Sequence, residues 1–208
     1  MLPRTAYVAA LAALVPALAG CFATVRLDET NRAAIRSVSV VESVRDEARF
    51  QLFGPAPTLY TAIPIAVAAA DAGRPQIATA TLESRSEIRR IVRERFAHAL
   101  AASGAFPAIV GEKGDAEVSL AIFMLGFGPS YGISRSHSPV LGVEARLVRR
   151  SDGALLARSR RFVTGMNQRT PARTLAAFAS DPELLRAAFA TAAEVVGTRL
   201  VIDLERRR

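Results

Sequence analysis

Cysteine, lysine, histidine and tryptophan are nearly missing from this chain. Its 208 residues include one cysteine (Cys21), one lysine (Lys113), two histidines (His98 and His137) and no tryptophan. A single cysteine excludes a disulfide framework within the chain. Two histidines far apart in sequence do not have metal-ligand spacing, so neither a metal nor a resident cofactor is expected. There is also no Gly-x-Ser-x-Gly elbow, no phosphate-binding glycine loop with lysine, and no His-Glu-x-x-His. His98, beside Ala97 and Ala99, reads as a partly exposed structural residue on a helix. His137 follows Arg135 and is flanked by Ser136 and Ser138, but sequence neighbours do not make a catalytic dyad. The fold brings nucleophile and base together, and a hydrolase built here would need an acidic orienter for the imidazole. Asp115 and Glu117, two apart on a strand edge, read as solvated carboxylates rather than as an acid and a base. The chain is expected not to be an enzyme.

The one cysteine stands at an informative place. Arg4 is followed by an apolar and small-residue run from Ala6, which closes on Leu18-Ala19-Gly20-Cys21. A short basic region, an apolar core and small residues before a cut describe a secretory signal, one too short to span a bilayer comfortably. The closing motif resembles a bacterial lipobox. That resemblance implies a signal peptide over 1–20, cleavage before Cys21, and a covalent diacylglyceryl and N-acyl lipid on Cys21. Phe22 follows the cysteine where aspartate would imply inner-membrane retention, so the implied address is the periplasmic face of the outer membrane. Each buried methylene contributes about 0.8 kcal/mol, so two or three acyl chains hold a protein to a bilayer almost permanently.

Residues 1–20 contain one charged side chain, Arg4, and the remaining 188 residues carry a net charge of +7. That length suits one domain. In the periplasm the available anions are phospholipid head groups and lipopolysaccharide phosphates, and nucleic acid is not an expected partner.

Residues 21–34 read as a lipidated N-terminus and polar tether, and 35–208 as a single domain with an apolar insertion near 59–76. Strands are predicted over Ile35–Val41, Arg49–Phe53, Phe106–Val110, Ala116–Phe127, Leu141–Arg149 and Leu155–Thr164 from their period-two patterns. Ser151-Asp152-Gly153 supplies the positive-φ glycine of a hairpin between the last two. One amphipathic helix is predicted from Ser84, with Glu87 at capping-box spacing, to a terminating Gly104. A second opens at Asp181-Pro182-Glu183, and Pro171–Ala179 reads as a short helix. The order predicts an α+β fold, a mostly antiparallel sheet with two main amphipathic helices packed on one face. Leu59–Ala70, interrupted by Pro64, reads as a buried helix, as a loop over the core, or as an element offered to a membrane or a neighbouring subunit.

The lipobox, Val38-Ser39-Val40-Val41, the helix end Leu100-Ala101-Ala102-Ser103-Gly104-Ala105-Phe106 and the strand opening Asp115-Ala116-Glu117-Val118 together resemble a group of small envelope lipoproteins. The group includes the ABC-transport auxiliary, curli-secretion and lipopolysaccharide-assembly types. The resemblance implies a non-catalytic accessory or assembly subunit of a cell-envelope transport or secretion system, and it transfers no catalytic residues.

Two surfaces stand out as contact candidates. The segment Gly126–Ile133 carries three glycines among Phe127, Tyr131 and Ile133 and reads either as a flexible loop with apolar tips for a partner or membrane or as a loop whose three apolar side chains fold back onto the core. Arg146, Arg149, Arg150, Arg158, Arg160 and Arg161 crowd the predicted hairpin, either as a solvated face or as guanidinium groups that bind phosphate, with Arg146, Arg149, Arg158 and Arg160 the contact candidates. The leading expectation is a membrane-anchored accessory subunit with an envelope protein partner or a second copy. The alternative is a periplasmic carrier or sensor of a lipid or another amphiphile.

Overall fold

The computed structural model describes residues 24–53, 74–111, 113–130, 136–164 and 169–205. The first described residues are already part of the folded domain, which the sequence pattern does not predict. Val25 and Arg158 exchange backbone hydrogen bonds of 2.9 and 2.8 Å, and Leu27 is 1% exposed. Asp28 then caps a short helix, α1 (Glu29–Ala34), by accepting from the Asn31 amide at 2.7 Å. The tether expected over 21–34 is therefore corrected for its described part. Polar composition concealed one strand bridge and one core leucine, which fasten the segment to the domain.

Three short strands follow: β1 (Ser37–Val40), β2 (Arg45–Asp46) and β3 (Phe50–Leu52). The apolar insertion predicted near 59–76 lies almost wholly outside the described residues. Helix α2 (Arg74–Glu83) comes next, and the sequence reading missed it. Pro75 stands in its first turn, where proline is well tolerated. Ser84 separates α2 from α3 (Arg85–Ser103) and makes no side-chain cap. Its amide donates to the Ala80 carbonyl and its carbonyl accepts from Ile88, so it is a joint between two helices and not the expected capping box. Gly104 ends α3 in the left-handed region (φ 67°), as predicted.

Strands β4 (Ala108–Val110), β5 (Ala116–Pro129), β6 (His137–Arg149) and β7 (Leu155–Val163) complete a seven-stranded sheet of order β4-β1-β5-β6-β7, in which β2 and β3 also pair with β5. The long β5–β6 and β6–β7 ladders are antiparallel and hold most of the paired residues. The short strands β1, β2 and β3 all run parallel to β5, and β4 runs parallel to β1. The class is α+β with a mixed, mostly antiparallel sheet. The parallel rim escaped the sequence reading because strands this short carry too little pattern to fix their direction.

The β6–β7 hairpin closes as expected. Gly153 takes φ 71°, its amide donates to the Arg149 carbonyl at 2.9 Å, and Asp152 holds both the Arg149 guanidinium and the Ala154 amide. Thr174 caps α4 (Leu175–Ser180). Asp181 then accepts from the amides of Glu183 and Leu184 to start α5 (Pro182–Glu205). α5 packs on β6 and β7, and α3 packs on α5. Gly197 permits that second approach, since a Cβ there would lie 3.3 Å from the Phe96 Cα.

Candidate functional site

Alternation along β6 sends Val143, Ala145 and Leu147 into the core with the α5 side chains Ala192, Val196 and Leu200. Glu144 and Arg146 consequently fall on the opposite face of the sheet. The register sets Glu144 against Arg160 and Arg146 against Arg158 on β7. One carboxylate therefore has an arginine two residues along its own strand and two more across the ladder. Glu144 accepts from Arg158 at 2.8 Å and also from the Nε groups of Arg146 and Arg160. The Arg160 guanidinium lies 5.1 Å from the centroid of the Phe123 ring on β5. Gly142 opens the space for that ring, because a Cβ there would meet Phe123 carbons at 2.8 Å.

Burial of Glu144, which is 2% exposed, works against its charge. The hydrogen bonds from Arg158, Arg160 and Arg146 outweigh that cost and hold its carboxyl down at about 2, below the ordinary 4.5. Three guanidiniums around one carboxylate sum to +2. The arginine side chains keep contact with solvent, at 36% for Arg146 and 26% each for Arg158 and Arg160. Glu144 was the residue missed by sequence reasoning. The available signal was a lone acid inside an apolar strand, bracketed by arginines at cross-strand positions.

Arg149, the fourth arginine singled out, is not part of this cluster. It pairs with Asp152 in the turn at 2.9 Å and reaches Asn31 of α1. Arg161 alternates to the other face, where it binds Asp203 of α5 at 2.5 Å, and that carboxylate raises the arginine's pKa.

Phe127 is corrected. It is fully buried, 4.9 Å from the Phe178 ring and 5.6 Å from the Phe189 ring, and offers nothing to a partner. Gly126 and Gly128 belong to β5 and not to a flexible loop. Gly126 is glycine because β3 passes so near that a Cβ would sit 1.7 Å from the Gln51 carbonyl oxygen. Tyr131, Ile133 and Cys21 lie outside the described residues.

His137 is 8% exposed and shares two backbone hydrogen bonds with Arg173, while the Ser138 hydroxyl is 3.0 Å from that of Ser130. His98 is exposed. It lines a groove of about 450 Å³ between α3 and α5, together with Arg95, Glu194 and Ile202. Asp115 ties β5 to β1 by accepting from the amides of Arg36 and Ser37 and from the Ser37 hydroxyl, and these contacts lower its pKa. Glu117 lies 3.7 Å from Arg150. Among the described residues, no group of three or more histidine, cysteine or acidic side chains is placed to hold a metal, and no helix is long and apolar enough to cross a membrane.

No family model and no curated protein matches the chain. Among solved structures, a PelC dodecamer from Paraburkholderia phytofirmans is 16% identical, with 82% of this chain and 89% of that one covered and a TM-score of 0.40. A second crystal form of a PelC variant from the same organism gives 18% identity, 83% and 88% coverage and a TM-score of 0.40. A DUF330 protein from Xanthomonas campestris is 20% identical over 54% of this chain and 58% of its own, with a TM-score of 0.39. Likenesses of this degree assign neither assembly nor activity to the chain.

Proposed function

We propose that this protein is a non-catalytic, lipid-anchored component of the bacterial cell envelope, held at Cys21 on the periplasmic face of the outer membrane. There it serves as an accessory or assembly subunit of a transport or secretion system. The observation that carries the reading is the Val25–Arg158 backbone bridge followed by buried Leu27. A lipid on Cys21 would act on the folded domain directly, without a long leash. In this reading α3 and α5 form one layer over one face of the sheet. The partner, another envelope protein or a second copy of the chain, meets the domain at the β4 edge. β4 is three residues long and ends the sheet order, which suits strand addition.

The test is crosslinking in intact cells of the source bacterium, comparing the natural chain with Cys21→Ser. Capture of a defined envelope transport component that weakens in the variant is the expected result. Capture of lipid alone would replace the subunit by the carrier, and an unmodified Cys21 in the intact mass would remove the anchor.

A further inference from the structure

The arginine cluster and the Val25 bridge share one strand, and together they point to an orientation. Arg158 gives its backbone to Val25 and its guanidinium to Glu144. Only four peptide steps separate Cys21 from Val25, a span of at most ~14 Å even when fully extended. A lipid on Cys21 would thus keep Val25 within that distance of the lipidated residue, and the Arg158 backbone one strand spacing, ~5 Å, further on. A link of that length restricts which face the domain can present.

The groups gathered at that point match an anionic surface. The outer-face cluster carries +2, its guanidiniums are partly exposed, and planar guanidinium donors suit phosphate oxygens. Two residues beyond Arg160, on the same face of β7, Phe162 is 48% exposed, and Leu155 near the other end of the strand is 47% exposed. Basic groups flanked by exposed apolar side chains are what an interfacial protein surface requires, cations at the phosphate layer and rings just below it.

We propose that β7 and the adjoining arginine-bearing face form a membrane-contact surface. Arg146, Arg158 and Arg160 would engage the phosphates of anionic phospholipid, and Phe162 would enter the interface. The proposal rests on lipidation of Cys21. It adds a fixed orientation, with the β7 edge at the bilayer and the β4 edge about four strand spacings away, ~19 Å into the periplasm.

The absence of tryptophan makes the test clean. Phe162→Trp introduces a single tryptophan, excited apart from the tyrosines at ~295 nm, at an exposed site. Leu82→Trp places the control on α2, which packs beside β3, with β5 and β6 between β3 and β7. The lipidated full chain, its acylation verified by intact mass, is reconstituted into bilayers with brominated acyl chains. One set contains phosphatidylglycerol and the other only phosphatidylcholine. In anionic bilayers F162W should shift to the blue and be quenched, and L82W should not. Arg158→Gln or Arg160→Gln in the F162W background should each reduce the ratio of quenched to unquenched protein about fivefold, as should replacing phosphatidylglycerol. An unquenched F162W, or equal quenching of L82W, on a lipidated protein would overturn the orientation while leaving the anchor intact. Quenching indifferent to lipid charge and to both arginine changes would overturn the phosphate contact. A protein carrying no acyl mass would overturn the anchoring reading itself.

Discussion

Replacing Glu144 by glutamine keeps the shape of the side chain and removes its charge, so it isolates what one carboxylate contributes beneath three arginines. A fall from 4.5 to about 2 corresponds to about 3–4 kcal/mol at roughly 1.4 kcal/mol per unit. The partial exposure of the arginines screens some of this, leaving about 2–3 kcal/mol. The sign follows from the direction of the shift. A carboxyl lowered by folding stabilises the protein fully above its unfolded value, and the contribution drains away as pH falls from about 4.5 to about 2. At pH 7, E144Q should unfold in urea with a free energy lower by about 2–3 kcal/mol, equivalent to about 5–10 °C in Tm for a domain of this size. Near pH 2 the two proteins should converge to within about 0.5 kcal/mol, because Glu144 is then about half protonated in the folded chain and little of its contribution remains. A gap that persists unchanged at low pH would show that the cost is one of fit and hydrogen-bond geometry. A gap below about 0.5 kcal/mol at pH 7 would refute the reasoning outright.

Four further outcomes follow from the packing. Gly126→Ala drives a methyl into the Gln51 carbonyl and should cost about 3 kcal/mol or detach β3, visible as lost amide protection at Phe53, whose N–H bonds the Phe127 carbonyl at 2.8 Å. Phe178→Ala empties the site against Phe127 and should cost about 3–5 kcal/mol in denaturant unfolding. Val25→Pro removes the amide that donates to the Arg158 carbonyl, and hydrogen exchange at the reciprocal Arg158 amide should accelerate with little change at Ala145 on the neighbouring strand. A carbon-detected titration of Asp115 should give a midpoint below that of ordinary aspartate, and Ser37→Ala should move it upward by removing a hydroxyl donor.

Legibility varied with how local the determining physics was. The hairpin, the end of α3 and the start of α5 were readable because Gly153, Gly104 and Asp181-Pro182 act on their own backbone, and the neighbouring few residues decide the outcome. The direction of β1, β2 and β3 was not readable, because each is fixed by pairing with β5, far along the chain. The glycines at 126 and 128 misled for a related reason. Glycine permits a flexible tip and also permits a second backbone to come close, and only the presence of β3 decides between the two. At the candidate site the arginines were visible in sequence and their organising acid was not. A single glutamate in a strand reads as wet-facing until cross-strand register shows the arginines that cover it.

The role of β5 also bears on how the chain reaches its native state. Three separate strands from the first quarter of the chain, β1, β2 and β3, hydrogen-bond to β5, which lies some seventy residues further on. None of them can close its ladder until that partner exists, and each closure bears the entropy of a long loop. The hairpin of β6 and β7 forms locally and can offer β5 a template early, whereas the N-terminal rim must wait. Refolding should therefore be slow for a domain of this size, with protection appearing first at Ala145 and Ser159 and last at Val38. A chain wired in this way stays extended and unpaired over its leading segment for as long as the middle of the sequence is withheld.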